Sequence, residues 1–397
     1  MAALARAGAR FATQPLRGPA CAVALVGDVG SAADPTGEGG RAAAVARARA
    51  AAAGPRLAAL GGAAFFDADR DTTVLGAQVP KDKAHEAVHI LLDTVSKPVP
   101  DEMFETAKQQ QLQQLTTMEH DVSELVYGCA YLDSPYGRPV LGTAAEVAAL
   151  SGSTLSKESW AGAGIGCADE VFGDLPEYNE KAVHEAIFTG SDVRIVDDSE
   201  PLARVCLAYA FPKVGEPGED AATLLPYILG TRTPSHETRR EPLNALGKLQ
   251  RDLAEQGIAT ACDAVYAPST GHALFSIHWA CPDVRCEDAA YYVTANLVRL
   301  SHTVSDAEVE AARRARAAAR AAARARPAAA AAALGRAAAA RGAPRGDAGA
   351  GAVAAADVRE LLYARVHDCD HALAARGPVH ELPDYNWVRT ASYDYAV

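Results

Sequence analysis

The chain has 397 residues, 49% of them hydrophobic and 22% charged, and a formal net charge of −12. That length accommodates two domains of ordinary size, and that composition belongs to folded globular proteins rather than disordered ones. No apolar run of eighteen residues offers a bilayer-spanning helix, and the acidic balance gives no support to nucleic-acid binding by counterion release.

Residues 1–17 carry Arg6, Arg10 and Arg17 among Ala, Leu and Phe, and no acid precedes Asp28. This is the pattern of a mitochondrial presequence, with cleavage expected around Ala12 and Thr13; a frayed alanine-rich terminus is the plainer reading of the same residues. ACAVALVG (20–27) predicts a buried strand. A Gly/Asp/Pro loop to Gly40 and a helix from Arg41 to Leu60 follow. Two short strands are expected within 63–79, an amphipathic helix over Pro80 to Val95, and a helix opening at Asp101 and running through QQQLQQL to about Tyr131. SPYGRPVLGT (134–143) reads as a loop, with a helical segment from Thr143.

Hydrophobic periodicity fades from about 174, and residues 176–189 are the expected linker between an N-terminal domain (18–175) and a C-terminal one (190–397). VRIVDD and RVCLAYAFP predict strands, then helices over 220–230 and 243–256, the strand ALFSIHWACP, and a helix from Cys286 to Ser301. Strand and helix alternate similarly in both halves, as in a structural duplication. Residues 311–346 hold nine arginines and no acid, which predicts two solvated helices broken at Pro327 and around Gly342 to Pro344. A nucleic-acid arm is disfavoured, because no aromatics are interleaved.

His85-Glu86-Ala87-Val88-His89 spells H-E-x-x-H, in which two histidines on one helical face grip zinc and the glutamate activates a bound water. The apolar stripe Ala84, Val88, Leu91, Leu92 and Val95 instead marks this helix as a core element, with Glu86 on its solvent side. The eight cysteines (21, 129, 167, 206, 262, 281, 286 and 369) form no C-x-x-C and read as reduced thiols. His272, His278, Cys281 and Cys286 could suggest a metal cluster, but their spacing fits no tight finger and the two histidines read as strand positions. His367, Cys369, His371 and His380 include an H-x-C-x-H (HDCDH) that could attract a metal in vitro. No G-x-S-x-G, P-loop or dinucleotide fingerprint occurs.

YLDSPYGRPVLGT (131–143), FTGSDVRIVDDSEPLARVCLAYAFP (188–212) and HALAARGPVHELPDYNWVR (371–389) resemble the insulinase-type (pitrilysin-like, M16) metallopeptidase family, in its branch of beta-type processing-peptidase and respiratory core subunits. The stretch GTRTPSHETRREPLN (230–244), with one glycine, is beta-like. The resemblance implies an α+β fold of two homologous halves, each a mainly antiparallel sheet covered by helices, in a clam-like arrangement. It places the family's inverted H-x-x-E-H zinc motif on Ala43-Ala44-Val45-Ala46-Arg47 and its third ligand, a glutamate, near Gln114. None of these suits zinc. At HDCDH (367–371) the resemblance implies the last strand region rather than a metal site.

No catalytic, cofactor-binding or metal residue is therefore expected, and no cofactor. The resemblance implies a non-catalytic core protein 1 of complex III on the matrix side of the mitochondrial inner membrane. The partners it implies are an alpha-like core subunit (core protein 2), cytochrome b and cytochrome c1, which attach the chain peripherally to the membrane. It also implies that the tail LPDYNWVRTASYDYAV lies against partners, although that tail could equally complete its own core. Three alternatives stay open: a helper subunit of the processing peptidase that binds presequences, a zinc hydrolase using His85 and His89, and a soluble matrix protein with a new binding role.

Overall fold

The computed structural model describes residues 2–6, 9–13, 18–118, 121–151, 186–230, 247–341 and 353–393. Cys167, residues 176–185 of the expected linker and 231–244 of the GTRTPSHETRREPLN stretch lie outside them. The chain gathers into two compact units, one of residues 1–119, 138–183 and 319–345, the other of 120–137, 184–318 and 346–397.

In the first unit β1 (Ala2–Arg6) and β2 (Ala9–Thr13) form an antiparallel hairpin on the segment read as a presequence. Then come β3 (Ala20–Gly27), α1 (Arg41–Ala59), β4 (Ala63–Ala68) and β5 (Thr73–Pro80), and after a single 3-10 turn α2 (Ala84–Ser96) and α3 (Asp101–Met118). The strands form an antiparallel sheet of order β3-β5-β4. Val23, Leu25, Leu75, Ala77 and Val79 face one side and bury against Ala53 and Leu57 of α1 and Val88 and Leu91 of α2. Alternation fixes which face is buried, because successive strand side chains point oppositely. Gly76 lies opposite Phe65 in the ladder, where a Cβ would stand 2.1 Å from the ring, so only glycine lets the aromatic lie across the sheet.

The single helix expected from Asp101 to Tyr131 is two. α3 stops at Met118, and α4 (Val122–Ala130) starts afresh with the Asp121 carboxylate accepting from the Ser123 N–H. An aspartate at an N-cap satisfies an orphan amide that a continuous helix would not offer it, so the cap outweighs uninterrupted helix propensity. α4 belongs to the second unit, whereas α5 (Ala144–Ala149), closed by the Thr143–Glu146 capping box, belongs to the first.

The second unit continues with β6 (Asp192–Val196), β7 (Ala203–Ala210), the short helices α6 (Glu219–Ala222) and α7 (Leu225–Leu229), α8 (Lys248–Glu255), β8 (Ala261–Pro268), β9 (Ala273–Cys281) and α9 (Cys286–Thr303). α10 (Asp306–Arg324) follows, with its last residues and the whole of α11 (Pro327–Arg341) counted in the first unit; the second unit resumes with α12 (Ala355–Val366), β10 (Ala372–Gly377) and α13 (Tyr385–Ala391). Its sheet has the order β6-β10-β7-β9-β8, with only the β6-β10 pairing parallel among the described strands. Val205, Leu207, Phe275 and Ile277 pack under Val293 and Leu297 of α9 and Val358 and Leu362 of α12.

The duplication is visible in the elements. β7-β9-β8 repeats β3-β5-β4, and each third strand leads through a 3-10 turn into a helix. The residues before those helices, Lys83 (φ −102°, ψ 6°) and Arg285 (φ −118°, ψ 5°), share one conformation. Each pairs with an acid three residues on: Lys83 with Glu86 at 2.7 Å and Arg285 with Asp288 at 2.8 Å.

The alanine-arginine tract breaks at Pro327 as expected, but only part of it is solvated. In α11, Ala332 is buried against Ala24, Val26 and Val74 on the second face of the first unit's sheet. Arg336 reaches Asp67 and Asp69, both at 2.8 Å. Alanine's small side chain lets a helix approach a sheet closely, a use that helix propensity alone does not reveal. Ala332→Asp is expected to lower stability by about 2–4 kcal/mol through an unpaired buried carboxylate. Ala329→Asp, on the exposed side of the same helix, should stay within about 0.5 kcal/mol of the parent in urea unfolding.

Candidate functional site

The start of α1 is held by the loop before it. Asp34 Oδ1 accepts from the Ala42 N–H at 3.0 Å, and Arg138 Nη1 donates to the Asp34 carbonyl at 3.0 Å. Gly40 takes φ +79°, and a Cβ there would meet the Leu141 carbonyl at 2.2 Å. That closeness lets Gln111 of α3 donate to both the Gly40 (3.0 Å) and Leu141 (2.8 Å) carbonyls. These contacts set α1 beside α3, so the positions to which the resemblance assigns the zinc ligands do come together.

Ala43, Ala44, Val45 and Ala46 are fully buried, with Ala44 and Val45 packed against Phe104, Ala107 and Val147. Arg47 Nη2 donates to Gln114 Oε1, and its guanidinium lies over the Phe66 ring, 5.0 Å from the centroid. Partial burial pulls the Arg47 pKa below its ordinary value. Methyl groups have no lone pair for a metal, and a guanidinium beside the amide brings a fixed positive charge to the place a dication would take. The residues present do not fit zinc. The sequence reading put Arg47 and Gln114 at equivalent ligand positions; it did not see that they bond to one another, because nothing in their spacing reveals a partner on another helix.

The HEAVH segment forms the first two turns of α2. His85, Glu86 and His89 are exposed and the imidazole centroids are 4.6 Å apart, while Glu86 is engaged by Lys83. In the repeat, Glu86 therefore corresponds to Asp288, as the acid of a helix-starting ion pair. The buried arc consists of Ala87, Val88, Ile90 and Leu91, with Ala84, Leu92 and Val95 half-buried. It is turned from the expected stripe because α1 as well as the sheet packs against this helix.

The other candidate clusters disperse. The ring of His272 is packed among Tyr127, Tyr131 and Tyr136. His278 Nε2 lies 2.9 Å from Ser276 Oγ, and Cys281 and Cys286 contact each other. His367 stacks on Tyr363, Cys369 Sγ donates to the Ala364 and His367 carbonyls, and His380 Nε2 lies 2.7 Å from Asp198. Among the described residues, no three His, Cys, Asp or Glu side chains converge for a metal.

His371 is fully buried, stacked on Tyr385 with ring centroids 4.0 Å apart. Arg389 of α13 pairs with Asp368 and Asp370, and Val388 and Trp387 join the second unit's core. The aromatic tail, as far as Tyr393, completes its own unit.

Burial pushes the His371 pKa down to about 4. The unfolded chain takes up this proton near pH 6.5, so between the two values it binds more protons than the folded protein, and stability falls as pH drops. The expected loss is about 2 kcal/mol between pH 7.5 and 5. It is read as a shift of the urea midpoint, with a flatter profile for His371→Phe, which keeps the stack. Arg47→Met should cost about 1–2 kcal/mol through the lost hydrogen bond and ring contact. Gln114→Glu should raise the melting temperature by pairing with Arg47 and leave zinc content unchanged.

Comparison with known proteins places this geometry. Residues 165–316 match the family model described as the Peptidase M16 inactive domain. A probable mitochondrial-processing peptidase subunit beta of Arabidopsis thaliana is 23% identical over 359 residues, covering 82% of this chain and 66% of the relative. For the mitochondrial-processing peptidase subunit beta of Rattus norvegicus the identity is 24%, covering 80% of this chain and 71% of the relative. The human cytochrome b-c1 complex subunit 1 is 24% identical, covering 57% of this chain and 48% of that protein. A chain of the solved structure "Complex III2 from Candida albicans, Inz-5 bound" superposes with a TM-score of 0.85 at 21% identity, covering 97% of this chain and 98% of that one. Residues 165–316 thus match the Peptidase M16 inactive domain, and along its length the chain is similar to beta-type processing-peptidase subunits in sequence and to a chain of a solved complex III in fold.

Proposed function

We propose that this chain is a structural core subunit, of the core protein 1 type, of mitochondrial ubiquinol–cytochrome c reductase (complex III), without peptidase activity. What carries the reading is that a chain nearly coextensive with one chain of a solved complex III has Ala43, Arg47 and Gln114 at the positions the resemblance assigns to zinc ligands. A scaffold needs folded halves and contact surfaces, not a polarised water. Its partners are an alpha-like core subunit (core protein 2), cytochrome b and cytochrome c1. Its place is the matrix side of the inner membrane, held there peripherally through them. Among the described residues no helix is long and apolar enough to cross a membrane, which fits attachment through partners.

One observation favours a second reading. Seven of the matched relatives are named as mitochondrial-processing peptidase beta subunits, so a helper role in presequence binding is its content.

The test is to solubilise mitochondrial membranes in mild detergent, run a native gel and identify the proteins by mass spectrometry. Comigration with the b- and c-type haem bands at near-equal stoichiometry is expected, with substoichiometric zinc in the purified complex. Migration as a small haem-free dimer that retains presequence peptides would replace the core-subunit reading with the helper one. Stoichiometric zinc, lost together with cleavage activity in His85→Ala, would overturn both.

A further inference from the structure

Cys281 ends β9 and Cys286 opens α9, and both are fully buried. Their Sγ atoms are 3.7 Å apart, so an approach of about 1.7 Å brings them to disulfide bonding distance. Between them lie Pro282 and the single turn Asp283–Arg285, in which Val284 is 77% exposed. One surface turn thus separates the pair from water, and a water-sized oxidant needs only local opening of that turn to reach it.

The chain supplies its own control. At the equivalent places in the first unit stand Val79, the penultimate residue of β5, and Ala84, which opens α2, with Pro80 and Lys81–Lys83 between them. The fold therefore asks only for small apolar filling at these two positions, and the second unit has thiols there instead. Cys286 is the first residue of an 18-residue helix, whose amino end favours a thiolate. Hydrogen bonding from Cys281 holds the Cys286 pKa below its ordinary value, while the same contact pushes the Cys281 thiol up. The two sulfurs thus differ in role, with Cys286 attacking and Cys281 resolving.

We propose that Cys281 and Cys286 form a reversible dithiol–disulfide site oxidised by hydrogen peroxide. The Cys286 thiolate attacks one peroxide oxygen: an S–O bond forms, the O–O bond breaks, and hydroxide leaves and takes a proton to become water. The Cys281 sulfur, giving up its proton, attacks the resulting sulfenic sulfur, so that the S–S bond forms, the S–O bond breaks and a second water leaves. The dithiol loses two electrons and peroxide gains them; a dithiol reductant reverses the change by exchange.

The test uses the full-length chain. It is treated with hydrogen peroxide, its remaining thiols are alkylated, and chymotryptic peptides are weighed. The peptide containing both cysteines is expected to be lighter by two hydrogens and unalkylated, and to regain two alkylatable thiols after dithiothreitol. In Cys281→Val, Cys286 is expected to proceed to sulfinic acid. In Cys286→Ala, Cys281 is expected to stay reduced. Both variants use the residues of the first unit, and circular dichroism checks that they remain folded. Full alkylation of both cysteines in the unmutated chain, after treatment that oxidises the half-buried Cys21 and Cys369, would overturn the proposal. So would sulfinic acid at Cys286 in that chain without any crosslink.

Discussion

Each unit rests on the same constraint: an antiparallel sheet with an apolar face is stable only when helices exclude water from it. In the first unit α1 and α2 cover Val23, Leu25, Leu75 and Val79; in the second α9 and α12 cover Leu207, Phe275 and Ile277. The 3-10 turn and the helix-starting ion pair are arrangements that serve this covering, and on the other face of the first sheet Gly76 makes room for Phe65 beside the residues that α11 covers. Because the constraint concerns burial and not chemistry, the halves keep the same order of elements while their side chains diverge.

That distinction explains how a chain that resembles a family known for zinc chemistry can keep the fold without the ligands. The positions where the resemblance expects metal ligands lie on α1 and α3, helices whose packed faces are needed whether or not a metal is held. Ala44, Val45 and Ala48 pack α1 against Phe104 and Ala107 of α3, and Arg47 and Gln114 join the two helices by a hydrogen bond. A bound metal would have linked the same helices through its ligands. The replacement is local to these two helices.

Much of this was legible in the sequence. ACAVALVG gave β3 with its bounds, because an unbroken apolar run between Gly/Pro signals has few other outcomes. The HEAVH helix was recognisable as a core element from its apolar spacing, although the arc it buries also depends on α1, which no local pattern contains. The break at Asp121 was hidden because the surrounding residues all favour helix, and the decision rests on one capping hydrogen bond. The docking of α11 was hidden for a related reason: a run of alanine reports helix strength and says nothing of what lies opposite. The contact between Cys281 and Cys286 escaped a search for C-x-x-C, since their spacing matters only once a strand end and a helix start are known to face each other.

The first unit is not made from the first part of the chain alone. The face of β3 carrying Ala24 and Val26 is covered by Ala332 of a helix encoded near the other end, and Asp67 and Asp69 meet their arginine from that same helix. During vectorial synthesis, or threading through a translocation pore, this sheet emerges with one face still wet and its two acids unpaired. It waits for nearly the whole second unit to follow. Such a sheet is a natural client for a holding chaperone over that interval, because surface exposed in transit is where early association begins. A chain cut short before Pro327 leaves the interval open indefinitely, so the late alanine-arginine helix acts as the closing seal of the earliest part of the molecule.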